Sequence, residues 1–177
     1  MKHLFLVGFM GVGKTTIGKQ ISKKIKLPFI DTDNAVENLT GKSIAEIFSN
    51  DGEAQFRFFE NQVIQELNGV TSLVVSTGGG LPCFYNNMDL LLQTGYVVYL
   101  NAQPAFITSR LLASKKPRPL IQNLSQTDLL AWVGHTIKQR EEVYLRSNLI
   151  VDATAKSVGD IVKSILIGYQ AKLKKGY

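Results

Sequence analysis

Short runs of apolar residues recur along this chain, separated by stretches in which apolar positions return every three or four residues. Leu4-Phe5-Leu6-Val7 is apolar without interruption, the pattern of a central strand covered on both faces of a parallel sheet. Ile17, Ile21 and Ile25 follow at i, i+4 and i+8 with lysines opposite, predicting an amphipathic helix over 14–26 that Leu27-Pro28 ends before Phe29-Ile30 opens a second strand. Ser43-Ile44-Ala45-Glu46 and Asn50-Asp51-Gly52-Glu53 read as two capping boxes, hence two further helix starts. The second of these helices carries Phe56, Phe59, Val63 and Leu67 as its buried stripe. Leu73-Val74-Val75 predicts a third strand, 86–93 a helix, and Tyr96-Val97-Val98-Tyr99-Leu100 a fourth strand, after which Pro104 opens another helix. A long helix over 125–146 places Leu130, Val133, Ile137 and Tyr144 on one face. Leu149-Ile150-Val151 gives a fifth strand, and Val158, Ile161, Ile165 and Ile167 line a last helix. Strands alternate with helices throughout, with no repeat and no linker, so the expectation is an α/β fold in one domain over 1–177.

The candidate chemistry starts where the first strand ends. Gly8-Phe9-Met10-Gly11-Val12-Gly13-Lys14-Thr15 matches G-x-x-x-x-G-K-[ST] at every fixed position, between a strand and an amphipathic helix as a phosphate loop requires. Its glycines let successive N–H groups turn inward on phosphate oxygens. Lys14 is placed for the β/γ-phosphates, the Thr15 hydroxyl for Mg²⁺, and the following helix aims its positive end at the same anion. The second strand runs into Asp31-Thr32-Asp33; on an extended chain both carboxylates point to one side, at the rim where ligands gather in such sheets. Asp33 also suits the cap of a helix starting near Asn34. Arg57 has Glu53 at i−4 and Glu60 at i+3, and periodicity by itself favours an ordinary surface ion pair there. Thr77-Gly78-Gly79-Gly80 follows a buried strand on the same rim, which points to close backbone approach to a ligand rather than to a flexible linker. Lys115-Lys116-Pro117-Arg118-Pro119-Leu120 breaks helix periodicity and reads either as an exposed basic loop or as a mobile lid carrying a cation to a reactive phosphate. Arg140 lies on the core-facing side of its helix and wants an anion.

Composition narrows the picture without redirecting it. In 177 residues, 45% are hydrophobic and 19% charged, and mean hydropathy is +0.04; no apolar run approaches the roughly 18 residues of a membrane span. One cysteine, Cys83, cannot form an internal disulfide, and the first strand begins too early to leave room for a targeting segment, so a cytoplasmic protein is expected. The net charge of +6 gathers largely in 19–26 and 172–175 and reads as solvated helix faces. Neither a nucleic-acid nor a membrane partner is expected, and the chain is expected to act as a monomer. A phosphate cradle, two acids, a glycine triplet and three arginines exceed what a nucleotide switch needs. They suit a kinase whose small acceptor bears a carboxylate and a hydroxyl. The rivals are a kinase for another small acid or sugar and a catalytically silent nucleotide-binding module.

Taken in order, Gly8-x₄-Gly13-Lys14-Thr15, Asp31-Thr32-Asp33, Phe56-Arg57, Thr77-Gly78-Gly79-Gly80, Arg118-Pro119-Leu120 and Arg140-x₃-Tyr144 resemble the shikimate kinase family over essentially the whole chain. The resemblance implies a P-loop kinase fold: a five-stranded parallel sheet of order 2-3-1-4-5 flanked by helices, with substrate-binding helices at about 32–61 and a mobile lid at about 113–125. It implies transfer of a phosphoryl group from ATP to shikimate, with Mg²⁺ as cofactor, on the way to chorismate and the aromatic amino acids. Asp33 would hydrogen-bond the attacking hydroxyl and serve as base. Arg57 and Arg140 would hold the shikimate carboxylate, Glu60 would orient Arg57, and Gly79 and Gly80 would offer N–H groups to the ring. Gly11, Val12, Gly13, Lys14, Thr15 and Thr16 would bind the nucleotide together with Arg110 on the adenine and Arg118 on the transferred phosphoryl group; Lys14 and Arg118 count with Asp33 as catalytic. Thr15 and Asp31 would serve the metal. After the last strand the chain reads Ala153-Thr154-Ala155-Lys156-Ser157, with neither Arg nor Pro where the family often supplies a further adenine contact.

Overall fold

The computed structural model describes residues 3–67, 69–114, 118, 120–122 and 124–174. Strand β1 (His3–Val7) leads through the glycine loop into α1 (Lys14–Ile25), and β2 (Phe29–Asp31) then passes directly into α2 (Thr32–Thr40), α3 (Ile44–Asn50) and α4 (Gly52–Glu66). After β3 (Val74–Ser76) come a 3-10 turn at Leu81–Cys83, α5 (Asn87–Thr94), β4 (Gly95–Asn101), α6 (Pro104–Ala113), α7 (Gln126–Tyr144), β5 (Leu149–Asp152) and α8 (Val158–Lys174). The five strands pair in parallel in the order β2-β3-β1-β4-β5, as the resemblance implied.

β1 lies in the middle because all five of its residues are apolar or buried, and alternate side chains feed opposite faces. Leu4 and Leu6 join Ile17, Ile21, Val133, Ile161 and Ile165 on one face; Phe5 and Val7 join Ile64, Met88, Leu91 and Tyr144 on the other. A third cluster, Val36, Ile47, Phe56 and Val63, packs α2, α3 and α4 against one another. This places the helices after β2 as a unit beside the carboxyl ends of the strands. No helix of the described residues is long and apolar enough to cross a membrane.

Several expectations shift. Asp33 is not on an extended strand end but in the first turn of α2, and the cap is Asp31, whose side chain accepts from the Asp33 N–H. The capping box at Ser43 and Glu46 forms, but the one at Asn50 does not: Asp51 closes α3 and opens α4 at once, with no side-chain cap. Two helices meeting at one residue leave no extended position for a capping side chain. In α7 the buried leucine is Leu129, and Leu130 is exposed. Likewise Ile167 faces solvent while Ile161, Val162, Ile165 and Tyr169 are buried, because six positions beyond Ile161 an α-helix has turned to its far side. The long helix begins after Ser125, whose hydroxyl accepts from the Asp128 N–H. Lys115, Lys116, Pro117 and Pro119 of the expected lid, and Lys175 of the basic tail, lie outside the described residues.

Candidate active site

The loop between β1 and α1 has the conformation its glycines permit. Gly8, Gly11 and Gly13 have φ of 135°, 83° and 108°, a region side chains disfavour, and a Cβ on Gly8 would stand 2.6 Å from the Leu100 carbonyl oxygen. The Lys14 ammonium donates to the carbonyls of Gly8 at 2.7 Å and Phe9 at 2.9 Å. Burial lowers its pKa to about 8, opposed by Asp33 and Asp31 and reinforced by Arg118 and Arg140. A cavity of about 240 Å³ opens here, lined by Gly11, Gly13, Lys14, Thr15, Thr16, Asp31, Asp33, Arg110 and Arg118. Val12 is absent from this wall: its side chain is buried in the core, leaving only its backbone to face a ligand. Arg110 is exposed, beside Gly13 and 5.6 Å from the Phe106 ring centre.

On the floor of this cavity the Thr15 hydroxyl donates to Asp31 at 2.7 Å, with the Ser76 hydroxyl 3.5 Å away. Among the described residues no three His, Cys, Asp or Glu side chains gather as a metal cage. One hydroxyl and one carboxylate fit a Mg²⁺ that keeps waters and arrives with phosphates, rather than a resident ion.

A second cavity, of about 370 Å³, adjoins the first; Met10, Asp33, Gly79 and Arg118 line both. Arg57 projects into it from α4 and is buried, with 4% exposure, which overturns its reading as half of a surface ion pair. Its Nε and Nη2 donate to Glu53 Oε1 at 3.1 and 2.7 Å and its Nη1 to Glu60 Oε2 at 2.7 Å, while the guanidinium lies 4.6 Å from the Phe84 ring centre. Three of the five N–H groups are thus used, leaving one on each terminal nitrogen for an anion. Glu60 is fully buried. Burial pushes its carboxyl up to about 7, Asp33 adds to the rise, and Arg57 pulls against it; its Oε1 has no hydrogen-bond partner among the described residues.

The glycine triplet forms the wall opposite. A Cβ on Gly78 would stand 2.1 Å from Glu60 Oε1 and 2.9 Å from Asp33 Oδ1; one on Gly80 would stand 2.7 Å from the Arg57 guanidinium, and one on Gly79 3.1 Å from the Met10 nitrogen. Charged side-chain ends crowd Gly78 and Gly80 and the phosphate-loop backbone crowds Gly79, so close approach, not an unusual backbone angle, favours glycine here. Arg140 reaches the same cavity from α7, 5.8 Å from the Phe9 ring centre. Arg118 lies at the junction, its Nε buried without a partner among the described residues; burial lowers its pKa while Asp33 opposes.

So Asp33, Arg57, Gly79, Gly80, Arg118 and Arg140 share one cavity. Sequence reasoning passed over Ser76, and also Thr32, whose buried hydroxyl accepts from the Gly78 N–H at 2.7 Å. The available signal was a polar residue flanked by two acids at a strand end.

A phosphate loop on a parallel sheet, opening beside a second cavity with a buried arginine and a carboxylate at the junction, defines a P-loop kinase of small molecules. Residues 10–169 match the family model described as shikimate kinase. The chain belongs to the shikimate kinase family. It is 38% identical over 167 residues to the shikimate kinase of Azobacteroides pseudotrichonymphae, covering 94% of this chain and 98% of that protein. Its structure is similar to that of the Bacteroides thetaiotaomicron shikimate kinase, with a TM-score of 0.88 and 34% identity over 94% of this chain and 97% of that one. The shikimate kinase from Acinetobacter baumannii, solved in complex with shikimate, superposes with a TM-score of 0.87 at 32% identity, over 99% and 95% of the two chains.

Proposed function

We propose that this chain transfers the γ-phosphoryl group of ATP to a hydroxyl of shikimate, giving 3-phosphoshikimate and ADP in the biosynthesis of chorismate and aromatic amino acids. The observation that carries this reading is the shared wall of the two cavities, where Asp33 and Arg118 stand between the phosphate loop and the buried arginine.

In this reading the nucleotide phosphates lie on the loop amides and the positive end of α1. Lys14 exchanges its two carbonyl partners for β/γ-phosphate oxygens, with Gly11, Val12, Gly13, Thr15 and Thr16 as the cradle and Arg110 against the adenine. The shikimate carboxylate takes the two remaining N–H groups of Arg57 and the guanidinium of Arg140, and the Gly79 and Gly80 amides meet the ring. Asp33 accepts the hydroxyl proton as that oxygen bonds to the γ-phosphorus and the bond to the β–γ bridging oxygen breaks. Arg118 meets the charge on the phosphoryl group in transit. The Thr15 hydroxyl, and Asp31 through water, would hold a Mg²⁺ that would neutralise phosphate charge. We also take residues 1–177 as one domain, with substrate-binding helices at about 32–61 and a lid at about 113–125, acting as a cytoplasmic monomer without nucleic-acid or membrane partners.

A coupled assay of ADP release tests the proposal. Release should depend on shikimate, and a panel of other small hydroxy acids and sugars should not replace it. ADP release indifferent to shikimate would overturn the reading.

A further inference from the structure

Tyr144 is fully buried at the end of α7, its ring stacked on Tyr99 of β4 with centres 4.9 Å apart and planes at 28°. Its hydroxyl donates to the Gly79 carbonyl at 2.5 Å. That carbonyl and the Gly80 N–H belong to one planar peptide, and every described peptide is trans, so the two groups point in opposite directions. Fastening the oxygen to α7 therefore aims the N–H away from α7. No backbone hydrogen bond among the described residues uses the Gly80 N–H. A peptide between two glycines rotates with little steric resistance, so its orientation needs a fastener outside the loop.

Arg140 precedes Tyr144 by one turn of α7, so the arginine and the hydroxyl that fastens the Gly79 carbonyl sit on the same face of one helix. Arg140 and Gly80 both line the second cavity.

We propose that the Tyr144 hydroxyl is a positioning group: it locks the peptide between Gly79 and Gly80 onto α7, the helix that carries Arg140, so that the ring contact and the carboxylate contact of shikimate are set together. The inference rests on the reading of Arg140 and Gly80 as shikimate contacts.

Tyr144→Phe removes the hydroxyl and keeps the stacked ring. Calorimetry should show shikimate binding weakened about five- to twentyfold with ADP affinity within about twofold, and the KM for shikimate should rise more than kcat falls. Tyr99→Phe, which removes a hydroxyl that donates to Asn101 at 3.1 Å, should leave shikimate affinity unchanged. Shikimate affinity of Tyr144→Phe within about twofold of wild type, whatever its melting temperature, overturns the inference, as does an equal loss for shikimate and ADP. Arg140→Ala separates the two levels. If it weakens shikimate and Tyr144→Phe does not, only the positioning role fails; if it leaves shikimate binding intact, the site reading fails and takes this inference with it. The wild type supplies an arm that needs no folded variant: shikimate should slow deuterium exchange in 78–81 and 140–145 together, and protection of one segment alone overturns the coupling.

Discussion

Glu60→Gln should separate stability from function, because the buried carboxyl works against the fold and for the site. Glu60 is fully buried and its pKa is raised from 4.5 to about 7, with burial as the main cause. The native state therefore holds a proton that the unfolded chain has released, and stability falls as pH rises through this window. At about 1.4 kcal/mol per pH unit, the full gap amounts to about 3 kcal/mol, present below pH 4.5 and gone above pH 7. The amide has nearly the same shape and does not titrate. Urea denaturation of both proteins from pH 5 to pH 8 should show wild type losing about 2–3 kcal/mol of stability relative to the variant as pH rises. Shikimate affinity should move the other way at pH 8: Arg57 keeps Glu53 but loses its charged partner at 2.7 Å, and a freer guanidinium should bind about tenfold more weakly. A stability difference that stays flat from pH 5 to pH 8 would refute the argument that burial dominates at Glu60.

Five further variants probe the division of labour. Lys14→Met removes the ammonium proposed to meet the β/γ-phosphates, and turnover of the folded variant should fall below about a tenth of wild type, a loss exceeding roughly 1.4 kcal/mol of barrier stabilisation; turnover above that level removes Lys14 from the phosphate role. Arg118→Ala should lower kcat strongly while calorimetric shikimate affinity stays nearly unchanged, and a defect confined to shikimate binding would move Arg118 out of the transfer step. Arg57→Ala or Arg140→Ala should weaken shikimate about ten- to hundredfold, roughly 1.5–3 kcal/mol, with ATP binding nearly intact, whereas Asp33→Asn should act mainly on kcat. Normal turnover by Asp33→Asn would leave that residue only its place in the first turn of α2.

What could be read from the chain alone was whatever depends on neighbours in sequence. The phosphate loop is dictated within eight residues, since a left-handed turn needs glycine at Gly8, Gly11 and Gly13 and the strand and helix on either side carry their own periods. The unbroken apolar run of β1 announced a strand buried on both faces, and the alternation of strands and helices gave the class. The strand order came from family resemblance, because a β-α count is compatible with several crossovers.

Tertiary packing decided the rest. Whether Arg57 is a surface ion pair or a buried guanidinium facing a cavity depends on Phe84 and Gly80, which come from a different part of the chain. Leu129 and Leu130 are equally apolar, and only the packing of α7 chose which one faces the core. Asp33 entered a helix because Asp31 supplied the cap, a choice between two neighbouring acids that local preference leaves open. Thr32 on Gly78 and Tyr144 on Gly79 span 46 and 65 positions. Their partners are backbone groups that carry no side-chain signature, so only the folded chain brings them to light.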